Sequence, residues 1–456
     1  MSSVPASGAD RRRYRRVLIH RLTAALLPKL RYFRVMSVYA VERFTYLVLS
    51  FLVFPIIAKA YGPDALGHYS IAQTVVSLVT PFLATGAEAI AIRDLVRRGE
   101  ERGKVAGSAA LLLGLFTVPA VLLPIGAAYV AYGDDPVTVT LVIWLAIAFL
   151  PTPLYVIDFL WKADLRPAYS VVPRLLVMLV SLAAKATAAR SGYPIIAIAV
   201  ITAAEAWISA LMLAVVFLFA RRRGERWTLE REAFRSLFAQ TLPAMIAMLA
   251  VLVFFRVTQL MLGWLSNYRE VGIYAVAFQL IQVPNILPTV VLTTCYPRLV
   301  ALRDENPALY TEYLDRLLSF FSFAGWGLVL VVLLGGDWGM NLLFGNKFQG
   351  SGLILLLLSI STLCNFSAAV RGQLIFIANR PNLHVANALI GLATLIPLNF
   401  ALIPHYGAQG GAAAVAVASL VSGVLTSFLF SETSPFGRRQ LWRLVLPSAL
   451  FWRFSM

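Results

Sequence analysis

The octapeptide LGHYSIAQ (66–73) returns in the second half of the chain as VGIYAVAF (271–278), with Gly67 and Gly272, and likewise Tyr69 and Tyr274, 205 positions apart. Each copy opens a long apolar stretch, and the exits agree at the same offset, Arg93 with Arg298 and Arg98 with Arg303. Further on, Arg166–Pro167 corresponds to Arg380–Pro381 at an offset of 214, the extra residues fitting the longer connection around 298–316. Shared hydropathy alone does not set Gly, Tyr, Arg and Pro at fixed offsets. The chain therefore reads as a tandem duplication, with halves at 37–220 and 240–430.

Composition gives the solvent of these halves. Of 456 residues, 59% are apolar and 13% charged, against about 25% charged in a soluble domain. Mean hydropathy is +0.78. A water-soluble globule of this size could not bury so much apolar surface, and disorder, collagen and disulfide scaffolds are excluded. Crossing about 30 Å of hydrocarbon takes roughly 20 apolar residues. Twelve such spans are expected, at about 37–60, 67–92, 105–131, 137–160, 168–189, 194–220, 240–264, 271–297, 317–341, 352–378, 383–404 and 407–430. The fold class is all-α: a polytopic membrane protein of twelve helices in two six-helix lobes. Six is even, so both lobes start on the same side and the repeat is parallel, with its axis along the membrane normal.

The placement of charge orients the chain. With both termini cytoplasmic, the cytoplasmic segments hold 30 of the 39 Lys and Arg, the outer loops hold Lys59, Arg190, Arg269 and Lys347, and the spans hold the rest. This is the positive-inside pattern. It accounts for the net charge of +17 without nucleic acid as a partner. Residues 1–36, with the run RRRYRR (11–16) and further basic residues at 21, 29, 31 and 34, read as a basic interfacial segment on an anionic leaflet rather than a cleaved signal. Segment 221–239 is a cytoplasmic linker, and 431–456 a cytoplasmic or interfacial tail.

Charges within the spans are the candidate functional groups, because each costs about 2.5–3.5 kcal/mol at the bilayer centre. By depth, Arg256 and Glu205 are central; Arg43, Arg174 and Arg371 lie in the cytoplasmic third, and Lys185 in the outer half. Arg256, Arg43, Arg174, Arg371 and Lys185 read as an electropositive lumen for an anionic substrate, since guanidinium stays charged and binds phosphate bidentately. The competing reading pairs Arg43 or Arg174 with Glu42, Glu88 or Asp158. Glu205 is either a proton-responsive carboxylate or a Lys-paired structural group, and Glu88 and Asp158 lie near enough to the cytoplasmic ends to cap basic loops. Arg256 has no acid in its own span.

Other features narrow the class. His20, His68, His384 and His405 lack ligand spacing, and Cys295 and Cys364 fall in apolar segments, so neither metal nor cofactor is expected. No Walker-type sequence supplies an ATPase. Outer hydrophilic loops are short, which argues against a glycan polymerase or ligase; nothing requires an enzyme. Pro55, Pro81, Pro151, Pro153, Pro284 and Pro288 interrupt spans one, two, four and eight, as kinks or where a span lines a cavity. The small residues of YGAQGGAAAVAVAS (406–419) let helices approach closely.

The stretches AKAYGPDALGHYSIAQTVVSLVTPFLATGAEAIAIRDLVRR (58–98) and LIPHYGAQGGAAAVAVASLVSG (402–423) resemble the bacterial polysaccharide-biosynthesis flippases. These are O-antigen and exopolysaccharide repeat-unit translocases of the multidrug/oligosaccharidyl-lipid/polysaccharide exporter superfamily. The resemblance covers about residues 37–430. It implies a two-lobed inner-membrane protein that moves undecaprenyl-diphosphate-linked oligosaccharide between leaflets by alternating access, with the lipid-linked oligosaccharide, the bilayer and the polysaccharide polymerase machinery as partners. The alternative within the superfamily is a cation-coupled multidrug exporter, in whose lumen acidic groups would dominate.

Overall fold

The computed structural model describes residues 8–84, 87–97, 101–220, 227–378, 380, 382–430 and 433–445, with side chains from residue 37 onward apart from a few within helices, Arg43 among them. Among the described residues there is no strand. The first half holds α1 (Gly8–Ser77), α2 (Thr80–Ala84), α3 (Ala87–Arg97), α4 (Arg102–Tyr132), α5 (Pro136–Ile147), α6 (Val156–Ala163), α7 (Ala168–Arg190) and α8 (Ile196–Ala220). The second holds α9 (Arg231–Leu265), α10 (Tyr268–Gln282), α11 (Ile286–Glu305), α12 (Pro307–Phe344), α13 (Ser351–Ile377), α14 (Asn382–Gly423) and α15 (Ser434–Val445).

Among the described residues, ten helical runs are long and apolar enough to cross a membrane, and two of them are each two helices joined at a sharp break. Ser37–Ser77 and Asn382–Phe428 have 41 and 47 residues, or about 60 and 70 Å at 1.5 Å per residue, twice the hydrocarbon thickness. Each breaks at a glycine with positive φ, Gly62 (76°) in α1 and Gly407 (54°) in α14. Only glycine takes such backbone freely. The chain folds back at both: Tyr46 lies near Tyr69 across Gly62, and a Cβ on Gly410 would lie 2.3 Å from the Leu402 carbonyl across Gly407. Counting these two reversals, the runs make the twelve crossings that hydropathy predicts.

The duplication is visible residue by residue. A Cβ on Gly67 would lie 1.8 Å from the Tyr268 carbonyl oxygen, and one on Gly272 would lie 1.9 Å from that of Pro63. Pro63 and Tyr268 are themselves 205 apart, so the contact maps onto itself under the repeat, as an isologous interface does. The repeated glycine is where the two halves cross backbone to backbone. The turns after spans four and ten also match at the 214 offset. Asp164 and Ala378 donate to Leu160 and Leu374, and Arg166 and Arg380 donate to Trp161 and Ile375. This is the bonding of a Schellman cap. Spans two and eight break at equivalent points as well, between Ser77 and Thr80 and between Gln282 and Ile286.

Packing is shared at one end and divided at the other. Around the glycine crossing a single core joins Ile71, Ala72 and Leu141 of the first half to Leu262, Tyr274, Phe344 and Ala408 of the second. Toward the opposite end the halves keep separate cores. One is built on Leu95, Leu112, Phe116 and Leu160, the other on Leu299, Leu318, Phe321 and Phe366. Helix α9 begins on the first-half core through Leu237 and Met245, then continues into the second half. The two lobes thus meet at the end bearing Gly67 and Gly272 and part at the other.

The shared end is tied by polar contacts too. The His68 ring of α1 stacks on Tyr268 of α10, with centroids 3.7 Å apart. Its Nδ1 lies 2.8 Å from Asp135 Oδ2 and 2.9 Å from Thr138 Oγ1. Burial works to raise the Asp135 carboxyl, but hydrogen bonds from Thr138 and Tyr268 and the nearby His68 hold it below the usual carboxylate range. At the turn of α14, Glu270 accepts the Ala408 amide at 2.8 Å.

Candidate functional site

The intramembrane charges divide by half. In the first half, Arg174 on α7 makes contact with Glu42 Oε1 at 3.1 Å and Asp158 Oδ2 at 3.3 Å. Lys162 then bridges Asp158 at 2.8 Å and Glu88 at 2.6 Å. Asp158, with its side chain 4% exposed, is the centre of this chain of pairs. The spacing follows from α6, where Asp158 and Lys162 stand one turn apart on the same face. Lys185 pairs with Glu205 at 2.8 Å, and Ser181 donates to the same carboxylate oxygen at 2.5 Å. The pairing considered for Arg174 and Glu205 is what this geometry contains. The Arg43 side chain lies outside the described residues.

In the second half the two arginines have no acidic partner among the described residues, yet their settings differ. Arg371 on α13 is buried and held by protein acceptors: its two terminal nitrogens donate to Thr426 Oγ1 (2.7 Å), Ser427 Oγ (2.9 Å) and the Ser422 carbonyl (2.7 Å), while its Nε has no partner among the described residues. Ser427 in turn donates to Gln440, whose amide reaches the Gly423 carbonyl. Arg371 therefore fastens span ten to the end of span twelve and to α15. Arg256 on α9 donates one hydrogen bond, to Gln259 Oε1 at 3.1 Å, and its guanidinium lies 5.3 Å from the Phe278 ring centroid. Gln259 also accepts from Thr74 at 2.9 Å and donates to Ser70 at 3.3 Å, so Arg256 is positioned through a residue bonded to the first half.

Arg256 lines a cavity of about 310 Å³, open on one side. Besides Arg256 its polar lining comes from Gln282, Asn285, Thr289 and Asn365, set among Phe255 and Phe366. Gln282 ends α10 and Asn285 immediately precedes α11, so both flank the break that Pro284 forces on span eight. Broken backbone at membrane depth is found where a span lines a cavity. The volume falls at the small end of ligand sites, about 300–1,000 Å³. The amides were missed by a reading that weighed charge alone; the signal was two polar residues beside two prolines inside an apolar span. Lys162 was missed because it stands at a helix end.

Comparison with known proteins agrees with this architecture. The family described as polysaccharide biosynthesis protein matches residues 35–303, more than half of the chain. The chain belongs to that family. It is 22% identical to the capsular polysaccharide biosynthesis protein CapF of Staphylococcus aureus, over 47% of this chain and 58% of that one. It is 30% identical to the probable flippase AglR of Haloferax volcanii, over 39% and 37% of the two chains. The matched segments thus span about half the length of these relatives. Among solved structures, the lipid II flippase MurJ in an inward closed conformation superposes with a TM-score of 0.70 at 13% identity, covering 89% of this chain and 90% of MurJ. An inward-facing multidrug resistance MATE family transporter gives 0.68 at 13% identity, over 88% and 95%. These likenesses are of fold: the family member described here is a multi-span helical membrane protein with the fold of those structures.

Proposed function

We propose that this protein flips undecaprenyl-diphosphate-linked oligosaccharide repeat units across the bacterial inner membrane for surface polysaccharide assembly, by alternating access. The observation that carries the reading is Arg256, a membrane-depth cation with no carboxylate partner among the described residues, facing a cavity rather than closed over by protein. Such a group favours an anion, and a lipid diphosphate is the anion that the family's chemistry offers. The relatives' names, a capsular polysaccharide protein and probable flippases, support the same substrate class. In an exporter of cationic drugs a carboxylate would be expected where Arg256 stands.

The distribution of Lys and Arg favours cytoplasmic termini, which puts the shared end of the lobes outside and the parted end toward the cytoplasm. In that arrangement the saccharide head enters from the cytoplasmic side while the polyprenyl tail stays in lipid. Rocking about the glycine crossing would close the parted end and open the other. The paired carboxylates Glu205, Glu42, Glu88 and Asp158 are candidates for coupling to an ion gradient, and Arg43 for secondary attraction of the anion; Arg174 and Lys185 are taken up in ion pairs, and Arg371 by protein acceptors. The role is transport, not catalysis.

The test is Arg256→Ala in the native strain. Losing a charge-assisted contact worth about 1.5–3 kcal/mol slows transfer at least tenfold. Single completed repeat units then accumulate on the lipid carrier at the cytoplasmic face, with protein level retained. Near-normal surface polysaccharide in that strain would sink the reading.

A further inference from the structure

The two helix breaks that the duplication placed at equivalent points carry different side chains, and the difference points to a ligand. In the first half Ser77 and Thr80 flank the break and turn inward on their own backbone: Ser77 Oγ donates to the Thr74 carbonyl at 2.8 Å and Thr80 Oγ1 to that of Ser77 at 2.7 Å. The residues 205 positions on are Gln282 and Asn285. Their side chains have no hydrogen-bond partner among the described residues, and both line the Arg256 cavity. Asn365 faces them from α13 and keeps only a 3.5 Å contact, to Ser361. Phe255 lines the same space.

We infer that Gln282, Asn285 and Asn365 form a recognition site for an uncharged, hydroxyl-rich sugar residue of the transported saccharide, laid against Phe255 and adjoining the anion position at Arg256. The inference rests on the flippase reading and adds to it the class of sugar selected. The chemistry follows from the donor and acceptor inventory. A primary amide both donates and accepts, and so does a sugar hydroxyl, so three amides can pair with several hydroxyls at once. At membrane depth an amide left without a partner is costly, and the first half shows that the break itself needs no amide: Ser and Thr satisfy it locally. A sugar carboxylate would compete with the lipid diphosphate for Arg256, the one cation lining the cavity among the described residues. The amides therefore favour neutral hexose-type residues over hexuronic acids.

The test uses the full chain in nanodiscs and three probes: a polyprenyl diphosphate without sugar, the same lipid bearing a neutral hexose disaccharide, and the same lipid bearing a hexuronic acid disaccharide. Affinities are read by native mass spectrometry. Wild type should prefer the neutral disaccharide lipid over the bare lipid by about tenfold, the worth of one or two net hydrogen bonds. In the double variant Gln282→Ser, Asn285→Thr that ratio should fall toward one, and Asn365→Leu should lower it independently. The double variant installs the pair that the other half uses at its own break, and its thermal midpoint reports that it folds. A folded double variant that keeps the wild-type ratio overturns the inference, as does a wild-type preference for the hexuronic acid lipid. If wild type binds the bare lipid diphosphate above a phosphatidylglycerol control but shows no sugar preference, the sugar site alone is overturned. If none of the three probes exceeds that control, the flippase reading fails and the sugar site with it.

Discussion

Substituting Gly67 by Ala tests whether the repeated glycine is a conformational contact and not only a packing one. The added Cβ would stand 1.8 Å from the Tyr268 carbonyl oxygen, against a practical floor of 3.0 Å. The obstacle is backbone, not the end of a flexible side chain, so the halves must separate by more than 1 Å at their shared end. Overpacking of this kind costs about 1–3 kcal/mol. Because Gly67 and Tyr268 belong to opposite lobes, the cost falls on the conformer in which that end is closed and is relieved when it opens. A differential of that size shifts a two-state equilibrium by about 5–150-fold. Gly272→Ala meets the Pro63 carbonyl at 1.9 Å, and the opening that relieves one substitution relieves the other, so the double variant should be less than additive. The assay is an inter-lobe distance distribution by electron spin resonance in nanodiscs, with labels at Asp134 and Lys347, which are exposed on opposite halves at the shared end, after replacement of Cys295 and Cys364. A longer-distance population should grow in Gly67→Ala. An unchanged distribution in a variant of wild-type thermal stability would refute the argument.

Three further outcomes follow from the charge geometry. Arg174→Ala leaves Glu42 without this ion pair and Asp158 with Lys162 alone. It should lower stability by about 1–3 kcal/mol, less than the 3–5 of a fully buried pair because Lys162 remains, with partial recovery when Asp158→Asn is added; thermal unfolding in detergent reads both. Lys185→Met should destabilise through the stranded Glu205, and adding Glu205→Gln, which keeps the bond to Ser181, should restore most of the loss in the same assay. Asp135 is held below its ordinary value of 3.8 in the folded protein, so its contribution is full above that pH and is lost as pH falls through the lowered value. The stability difference between wild type and Asp135→Asn should therefore shrink as pH falls below about 4; a difference that keeps its size in that acidic range would contradict the assigned hydrogen bonds.

What could be read in the sequence and what could not separate along a physical line. Spans are legible because bilayer thickness fixes their length, and the repeat because its glycines sit where backbones touch, a contact that admits no other side chain. Gly62 and Gly407 were harder: each lies between two spans, and nothing in the letters tells that the helix runs unbroken to the turn on both sides. Partnerships were legible only as alternatives, with no means of choosing between them. Arg174 finds Glu42 132 positions away, and whether a charge at membrane depth is neutralised or presented depends on such distant neighbours. Depth alone ranked Arg371 with Arg43 and Arg174, yet Arg371 is enclosed by Thr426, Ser427 and Ser422 at the far end of its own half.

The contrast between Arg371 and Arg256 bears most directly on mechanism. Both are guanidinium groups at membrane depth, and neither has a carboxylate partner among the described residues. At Arg371 three protein acceptors take the place of solvent, which is how a protein stabilises a buried cation that has a structural task. At Arg256 one amide oxygen and one aromatic face do so, and the rest of the group faces the cavity. A purely structural arginine would be expected to acquire acceptors as Arg371 has, since an intramembrane charge is costly to leave exposed to an apolar surround. The arrangement at Arg256 is the more favourable the more often an anion occupies the cavity, which is the condition a transporter of lipid diphosphates would meet in every cycle. Gln259 adds a route for coupling, because the amide that orients Arg256 is also bonded to Thr74 and Ser70 on the opposite lobe. Movement of the first half relative to the second must break or remake those bonds. On the proposed alternating-access reading, the orientation of Arg256 thereby depends on which end of the molecule is closed.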